Sequence, residues 1–229
     1  MTLFLRAMMR CDAMIRKLAA EFIGTAMLLI SVIGSGIMGA QLAQGNDAIT
    51  LLANAIATGC MLYIIITVLG PISGAHFNPG VSLAFLLRRE LSGSAFVGFV
   101  AAQITGAFIG VWAAHVMFDL PVLQISQTVH RTGSAQWLSE ALATLGLLFV
   151  IFGGLRARPG AVPTLVALYI TGAYWFTSST SFANPAVTLA RGFSDTFAGI
   201  SPSHIAMFVL VQLGATLIGH VALSRLLDE

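Results

Sequence analysis

Long apolar stretches recur along the chain at Leu18–Met38, Ile49–Leu69, Phe96–Phe118, Trp137–Leu155, Val162–Ser178 and Ile205–Leu223. Each is close to the length of about 20 residues that carries a helix across a bilayer. Polar and turn-forming residues collect between them, at Gln44 to Asp47, Arg88 to Glu90, Asp119 to Pro121, Arg156 to Gly160 and Ser201 to His204. None of these breaks is long enough to hold a domain. The pattern predicts six transmembrane helices in an all-α membrane protein. Two shorter apolar runs, from Asn78 to Arg88 and from Asn184 to Gly192, hold about ten residues, or about 15 Å of helix. That is half of a hydrocarbon core about 30 Å thick, so each predicts a half-helix that dips into the membrane and stops.

Composition agrees. Of 229 residues 57% are hydrophobic and 9% charged, a profile suited to a chain solvated by lipid and unsuited to a soluble core. Charge then sets orientation. With six spans both termini lie on one side, together with Arg6, Arg10, Arg16, Lys17, Arg88, Arg89, Arg156, Arg158 and Arg225, whereas Arg131 and Arg191 fall on the other. The positive-inside rule places the termini in the cytoplasm of a multi-pass cell-membrane protein. Residues 1–17 read as a short cytoplasmic arm, since the apolar stretch after them is too long for a signal peptide and no cleavage-like site follows. Residues 18–229 read as one domain. The net charge of +2 gives no support for nucleic-acid binding. Two cysteines, Cys11 and Cys60, offer neither a disulfide framework nor a four-ligand zinc site, and no cofactor is called for.

The two halves of the chain, 18–118 and 136–227, resemble each other. Glu21 opens one and Glu140 the other; Asn78-Pro79-Gly80 pairs with Asn184-Pro185-Ala186; Gln103 and Gly110 pair with Gln212 and Gly219. Three spans per half is an odd number, so the copies cross in opposite senses and form an inverted repeat, the arrangement that places a pathway near the bilayer midplane. Asn is a favoured helix cap and proline is preset for the first helical turn, so both Asn-Pro pairs start helices. The loops before them, Gly70 to Phe77 and Thr177 to Ala183, are rich in glycine and hydroxyls. Irregular backbone at membrane depth survives where protein or a water-filled cavity satisfies it, which implies a polar path. The two helix starts are expected to meet at its centre with their positive dipole ends and Asn amides facing the lumen. Glu21 and Glu140 are candidates for proton relays or for holding the amides of the descending loops; their symmetry favours the second role.

These residues carry a resemblance. Ser73-Gly-Ala-His-Phe-Asn-Pro79 and Phe182-Ala-Asn-Pro-Ala-Val187, with the two Glu-bearing spans, make the chain similar to the major intrinsic protein family, the aquaporins and aquaglyceroporins, from residue 17 to about 227. The resemblance implies a right-handed six-helix bundle with one pore per subunit, assembled as a homotetramer, that passes water and small neutral solutes. Gly80 stands where the family usually has alanine. Val187 stands where most members carry an arginine lining the outer constriction. Arg191, one turn later, is expected nearer the extracellular face and does not inherit that role. Counting from the two motifs places the remaining constriction positions at Thr58, Gly172 and Ser181. The expected filter is therefore Thr58, Gly172, Ser181 and Val187, wide and mildly polar, without a ring or a fixed charge.

Such a gate suits solutes larger than water. Glycerol-like polyols, urea and the undissociated hydroxides of arsenic and antimony fit. Bacterial members with valine at that place resemble those that accompany arsenic resistance, which favours a metalloid channel; a water-selective or general glycerol and urea channel is the alternative. Phe182 and Tyr174 are able to swing into the lumen, but facing neighbouring helices is the favoured reading. His76 is expected at the cytoplasmic vestibule, lining it or holding the loop, with pH sensing as the alternative. Gly24, Gly106, Gly110, Gly214 and Gly219 suit close helix contacts. An ion-coupled secondary transporter is the rival from another class, but it needs a coupling site and the spans offer two symmetric glutamates. No convergent nucleophile, base and metal set marks an enzyme.

Overall fold

The computed structural model describes the backbone of residues 3–227 and the side chains of residues 12–227. The side chains of Arg6, Arg10 and Cys11, and the last two residues of the expected domain, lie outside that description. Helix α1 spans Leu3–Leu42, α2 Asp47–Ser73, α3 Pro79–Leu87, α4 Gly93–Met117, α5 Ser134–Ala157, α6 Val162–Phe176, α7 Pro185–Arg191 and α8 Pro202–Leu227. A 3-10 turn, Pro159–Ala161, leads into α6. No strand occurs among the described residues.

Capping explains several of the boundaries. Asn46 accepts from the amides of Ala48 and Ile49 to start α2, and Ser92 accepts from Ala95 to start α4. Helix α2 runs through Pro71 and ends where Gly74 takes a left-handed φ of 95°. Helix α1 runs from Leu3 into the first span as a single helix, so the basic stretch ahead of that span is helical from Leu3 onward. Five helices are long and apolar enough to cross a bilayer. The sixth, α6, has 15 residues; it follows the 3-10 turn and packs between α2 and α5.

Packing follows the repeat. Helix α1 packs on α2 and α4, as α5 packs on α6 and α8. Half-helix α3 sits against α4 and α8, and α7 against α8 and α4, so each is held by a long helix from either half. The burial pattern is inverted relative to a soluble protein. Glu21, Gln103, Glu140 and Gln212 are buried, while Val97, Leu168, Leu217 and Ile218 face outward. Where α1 meets α4 the backbones touch: a methyl on Gly106 or Gly110 would collide with the carbonyl of Phe22 or Ala26. Gly24 abuts the Phe77 ring and Gly219 packs on Leu145 and Leu148, whereas Gly214 faces open space and is no helix contact.

Candidate functional site

Each half-helix begins at its asparagine. Asn78 accepts from the Gly80 amide at 2.8 Å, and Asn184 accepts from Ala186 at 3.0 Å and Val187 at 3.3 Å. With its oxygen used in capping, each amide nitrogen is left to donate, and each reaches across to the other repeat. Asn78 Nδ2 donates to the Ala183 carbonyl at 2.7 Å, and Asn184 Nδ2 donates to the Phe77 carbonyl at 2.8 Å. The two Asn-Pro motifs thus meet through a reciprocal pair of hydrogen bonds.

The loops that deliver them are strained in the same places. Ala75 and Phe77 have φ of 53° and 49°, and Ser181 and Ala183 have 51° and 46°. Left-handed backbone at non-glycine residues costs about 1–3 kcal/mol each and needs support from its surroundings. The glutamates supply it. Glu21 accepts from the amides of His76 at 3.0 Å and Phe77 at 2.7 Å; Glu140 accepts from Phe182 at 2.9 Å and Ala183 at 2.8 Å. Gln103 Nε2 donates to Glu21 and to the Ser82 hydroxyl, and Gln212 Nε2 donates to Glu140 and to the Thr188 hydroxyl. Ser82 and Thr188 were not singled out from the sequence, although the repeat puts each four residues past its asparagine.

His76 belongs to the same scaffold. Its Nδ1 lies 3.1 Å from Ser82 Oγ, and its ring stacks on Phe85 with centroids 4.4 Å apart. Ser82 Oγ thus joins His76 to the Gln103–Glu21 pair, since Gln103 Nε2 donates to the same oxygen.

A cavity of about 120 Å³ lies between the repeats. His76, Asn78 and Asn184 line it, as do Thr58, Ser181 and Val187 of the expected filter. Aliphatic side chains such as Leu28, Val32, Leu147, Ile151 and Ile170 line it as well. No carboxylate is among the lining residues.

The structure departs from the sequence reading in three respects. Gly172 is exposed on the outer face of α6, with Phe176 as its neighbour, and it does not line the cavity. Tyr174 lines it instead, with its hydroxyl 3.3 Å from Thr58 Oγ1. At about 100° per residue, two positions turn a side chain to the opposite side of a helix, so a count across the loop after α6 picks the wrong face. Nor is the outer end free of rings and charge, since Tyr174, Phe182 and Arg191 all line the cavity. Arg191 is 2% exposed, and its guanidinium carbon lies 3.4 Å from the centroid of the Phe182 ring. A long side chain at the end of α7 folds back along the lumen, which spacing along the chain does not reveal. Cys60, read as packing, is exposed on α2.

The loop between α4 and α5 closes over this end. Arg131 donates from Nε to the Gly199 carbonyl at 3.0 Å, from Nη1 to the Ser179 carbonyl at 3.3 Å and from Nη2 to the Phe197 carbonyl at 3.4 Å. Asp195 accepts from the amides of Gln127 and Thr128 and from the Thr128 hydroxyl, and these bonds hold its carboxyl below the ordinary value of 3.8.

An inverted helical repeat with two capped half-helices meeting beside a cavity lined from both repeats is the architecture of a membrane channel. The chain belongs to the major intrinsic protein family: the profile described as "Major intrinsic protein" matches residues 8–178. The chain is similar to the aquaglyceroporin AqpS of Rhizobium meliloti (strain 1021), with 54% identity over 198 residues that cover 86% of this chain and 84% of the relative. It is 31% identical to the glycerol uptake facilitator protein-like 6 of Lactiplantibacillus plantarum, over 88% of this chain and 94% of that one. The X-ray structure of the aquaglyceroporin from Plasmodium falciparum shares the fold, with a TM-score of 0.72 at 17% identity over 93% of this chain and 96% of that one. The protein is accordingly a multi-pass membrane channel for small neutral solutes, not an enzyme.

Proposed function

We propose that the protein passes glycerol-like polyols and the undissociated hydroxides of arsenic and antimony, with water alongside, by passive diffusion. It does so in the cell membrane, with both termini cytoplasmic and as a homotetramer with one pore in each subunit. The observation that carries this reading is the mixed lining of the cavity, in which Thr58, Asn78, Tyr174 and Asn184 stand among many aliphatic side chains. A solute that exchanges its water for such a wall needs a few hydroxyls and little charge. Arsenite at neutral pH is a neutral trihydroxide of that kind. Val187 leaves the first turn of α7 without a bulky cation, and the similarity to the aquaglyceroporin AqpS supports solutes of polyol size.

Ion coupling finds no support in the cavity. Both intramembrane glutamates are engaged by main-chain amides and by a glutamine. The test is permeation of water, glycerol and arsenite in proteoliposomes, for wild type and Val187→Arg. Arginine is expected to narrow the path and cut glycerol and arsenite flux more than water flux. Equal flux of all three before and after the change would remove Val187 from the gate, and saturable flux driven by an ion gradient would reject the channel.

A further inference from the structure

We propose that Arg191 is the selectivity residue of the outer neck: it lies over Phe182, donates to the oxygens of a passing hydroxylated solute and holds back cations. The proposal rests on the channel reading and assigns its selectivity to a residue one helical turn beyond Val187.

Three observations carry it. Arg191 lines the cavity although it is almost wholly buried, so its charge is set close to the solute path with little water to screen it. Its Nε donates to the Ala198 carbonyl, which anchors the side chain, while Nη1 is buried without a hydrogen-bond partner. A buried donor without an acceptor has given up its water and gained nothing in return. Nη1 is shut off from the cavity, so an oxygen-bearing solute arriving in the neck meets the guanidinium through Nη2, which has no hydrogen-bond partner among the described residues. A solute without an acceptor does not, and a cation is repelled. The third observation is a second charge of the same sign. Arg131 also lies over Phe182, 5.2 Å from the ring centroid, and among the described residues neither guanidinium has a carboxylate within ion-pair distance. The groups that hold them are main-chain carbonyls and the Thr180 hydroxyl. Glu140 acts on both guanidiniums through space without forming an ion pair, so their positive field is offset in part and not cancelled. Arg131 acts as a positioning residue, clamping the loops that frame Phe182.

The test uses the full chain in proteoliposomes and measures glycerol flux, urea flux and proton flux under a potassium diffusion potential. Arg191→Val is expected to raise proton flux by about tenfold, equivalent to about 1.4 kcal/mol of barrier, and to lower glycerol flux relative to urea flux. Arg191→Val combined with Val187→Arg, which returns a guanidinium to the neck but not the Ala198 anchor, is expected to restore the proton barrier. Wild-type proton flux and solute ranking in Arg191→Val would overturn the proposal. So would a double variant as leaky as the single one, because Arg191 would then matter only as an anchor. If Arg191→Val does not fold, Arg191→Lys decides: it is expected to keep the proton barrier and to change the glycerol-to-urea ratio, and an unchanged ratio or a lost barrier overturns the assignment. Absence of passive glycerol flux in the wild type would instead reject the channel reading.

Discussion

Asn184 donates its side-chain amide to the carbonyl of Phe77 at 2.8 Å, 107 residues away in the chain. With the reciprocal bond from Asn78 to Ala183, this contact joins two half-helices that enter from opposite faces, and it uses donors that capping leaves free. The same atoms that start each half-helix therefore fix the distance between them.

Asn184→Ala removes the cap of α7 and the bond to Phe77 together. A lost cap costs about 1 kcal/mol and an orphaned buried carbonyl about 1–3 kcal/mol. Thermal unfolding in detergent is expected to come earlier, and glycerol flux per folded subunit to fall. Wild-type flux at wild-type stability would show that the two half-helices do not depend on this contact.

Glu140→Gln keeps the size of the side chain but turns one acceptor oxygen into a donor. That donor must face the Phe182 amide, or else the Ala183 amide and the Gln212 side chain. Each unmet amide costs about 1–3 kcal/mol, so the loop is expected to leave its left-handed conformation and flux to collapse. A proton-relay role predicts otherwise: a folded, solute-conducting protein that has lost only a pH-dependent step. Parallel measurement of solute flux and folded yield separates the two.

Gly172→Ala and Tyr174→Ala are expected to behave in opposite ways. A methyl on Gly172 finds Phe176 at 3.7 Å on the outer face and leaves solute ranking unchanged. Truncating Tyr174 deletes its contact with Thr58 and widens the neck, so four-carbon polyols gain on glycerol. Competition between polyols of increasing length in proteoliposomes reads this directly. A change of ranking in the Gly172 variant alone would return the filter to the position expected from the sequence.

Asp195 gives the loop between α4 and α5 a pH dependence. Its folded pKa lies below 3.8, so the stabilising contribution is complete above that value and is lost as pH falls through the lower, folded one. Hydrogen exchange at Gln127 and Thr128 is expected to show steady protection down to the ordinary carboxylate range and faster opening below it, after correction for intrinsic rates. The group is largely exposed, so the effect is local to the loop. Protection that stays flat through that range would show the loop is pinned by other contacts, such as those of Arg131.

Much of the fold was legible because lipid imposes simple rules. Span length, the charge between spans, and proline after asparagine each act locally, so they survive in linear form as apolar runs, basic loops and Asn-Pro pairs. The inverted repeat was legible for the same reason, since Glu21 and Glu140 recur in register with Asn78 and Asn184. Gln103 and Gln212 showed as repeated residues, but their shared task of bracing a glutamate and a hydroxyl emerged from distances.

The outer neck was not legible. Its lining depends on helical phase at the end of α6 and on where a flexible seven-atom side chain comes to rest. Gly172 and Tyr174 differ by two residues in sequence and by opposite faces in space, and Arg191 reaches the lumen because Phe182 and the Ala198 carbonyl hold it there. The sequence by itself determined the number of crossings, their symmetry and the meeting of two helix starts, because these follow from residue type and spacing. The tertiary structure alone decided which side chains line the cavity at its outer end, because that is settled by packing between segments far apart in the chain.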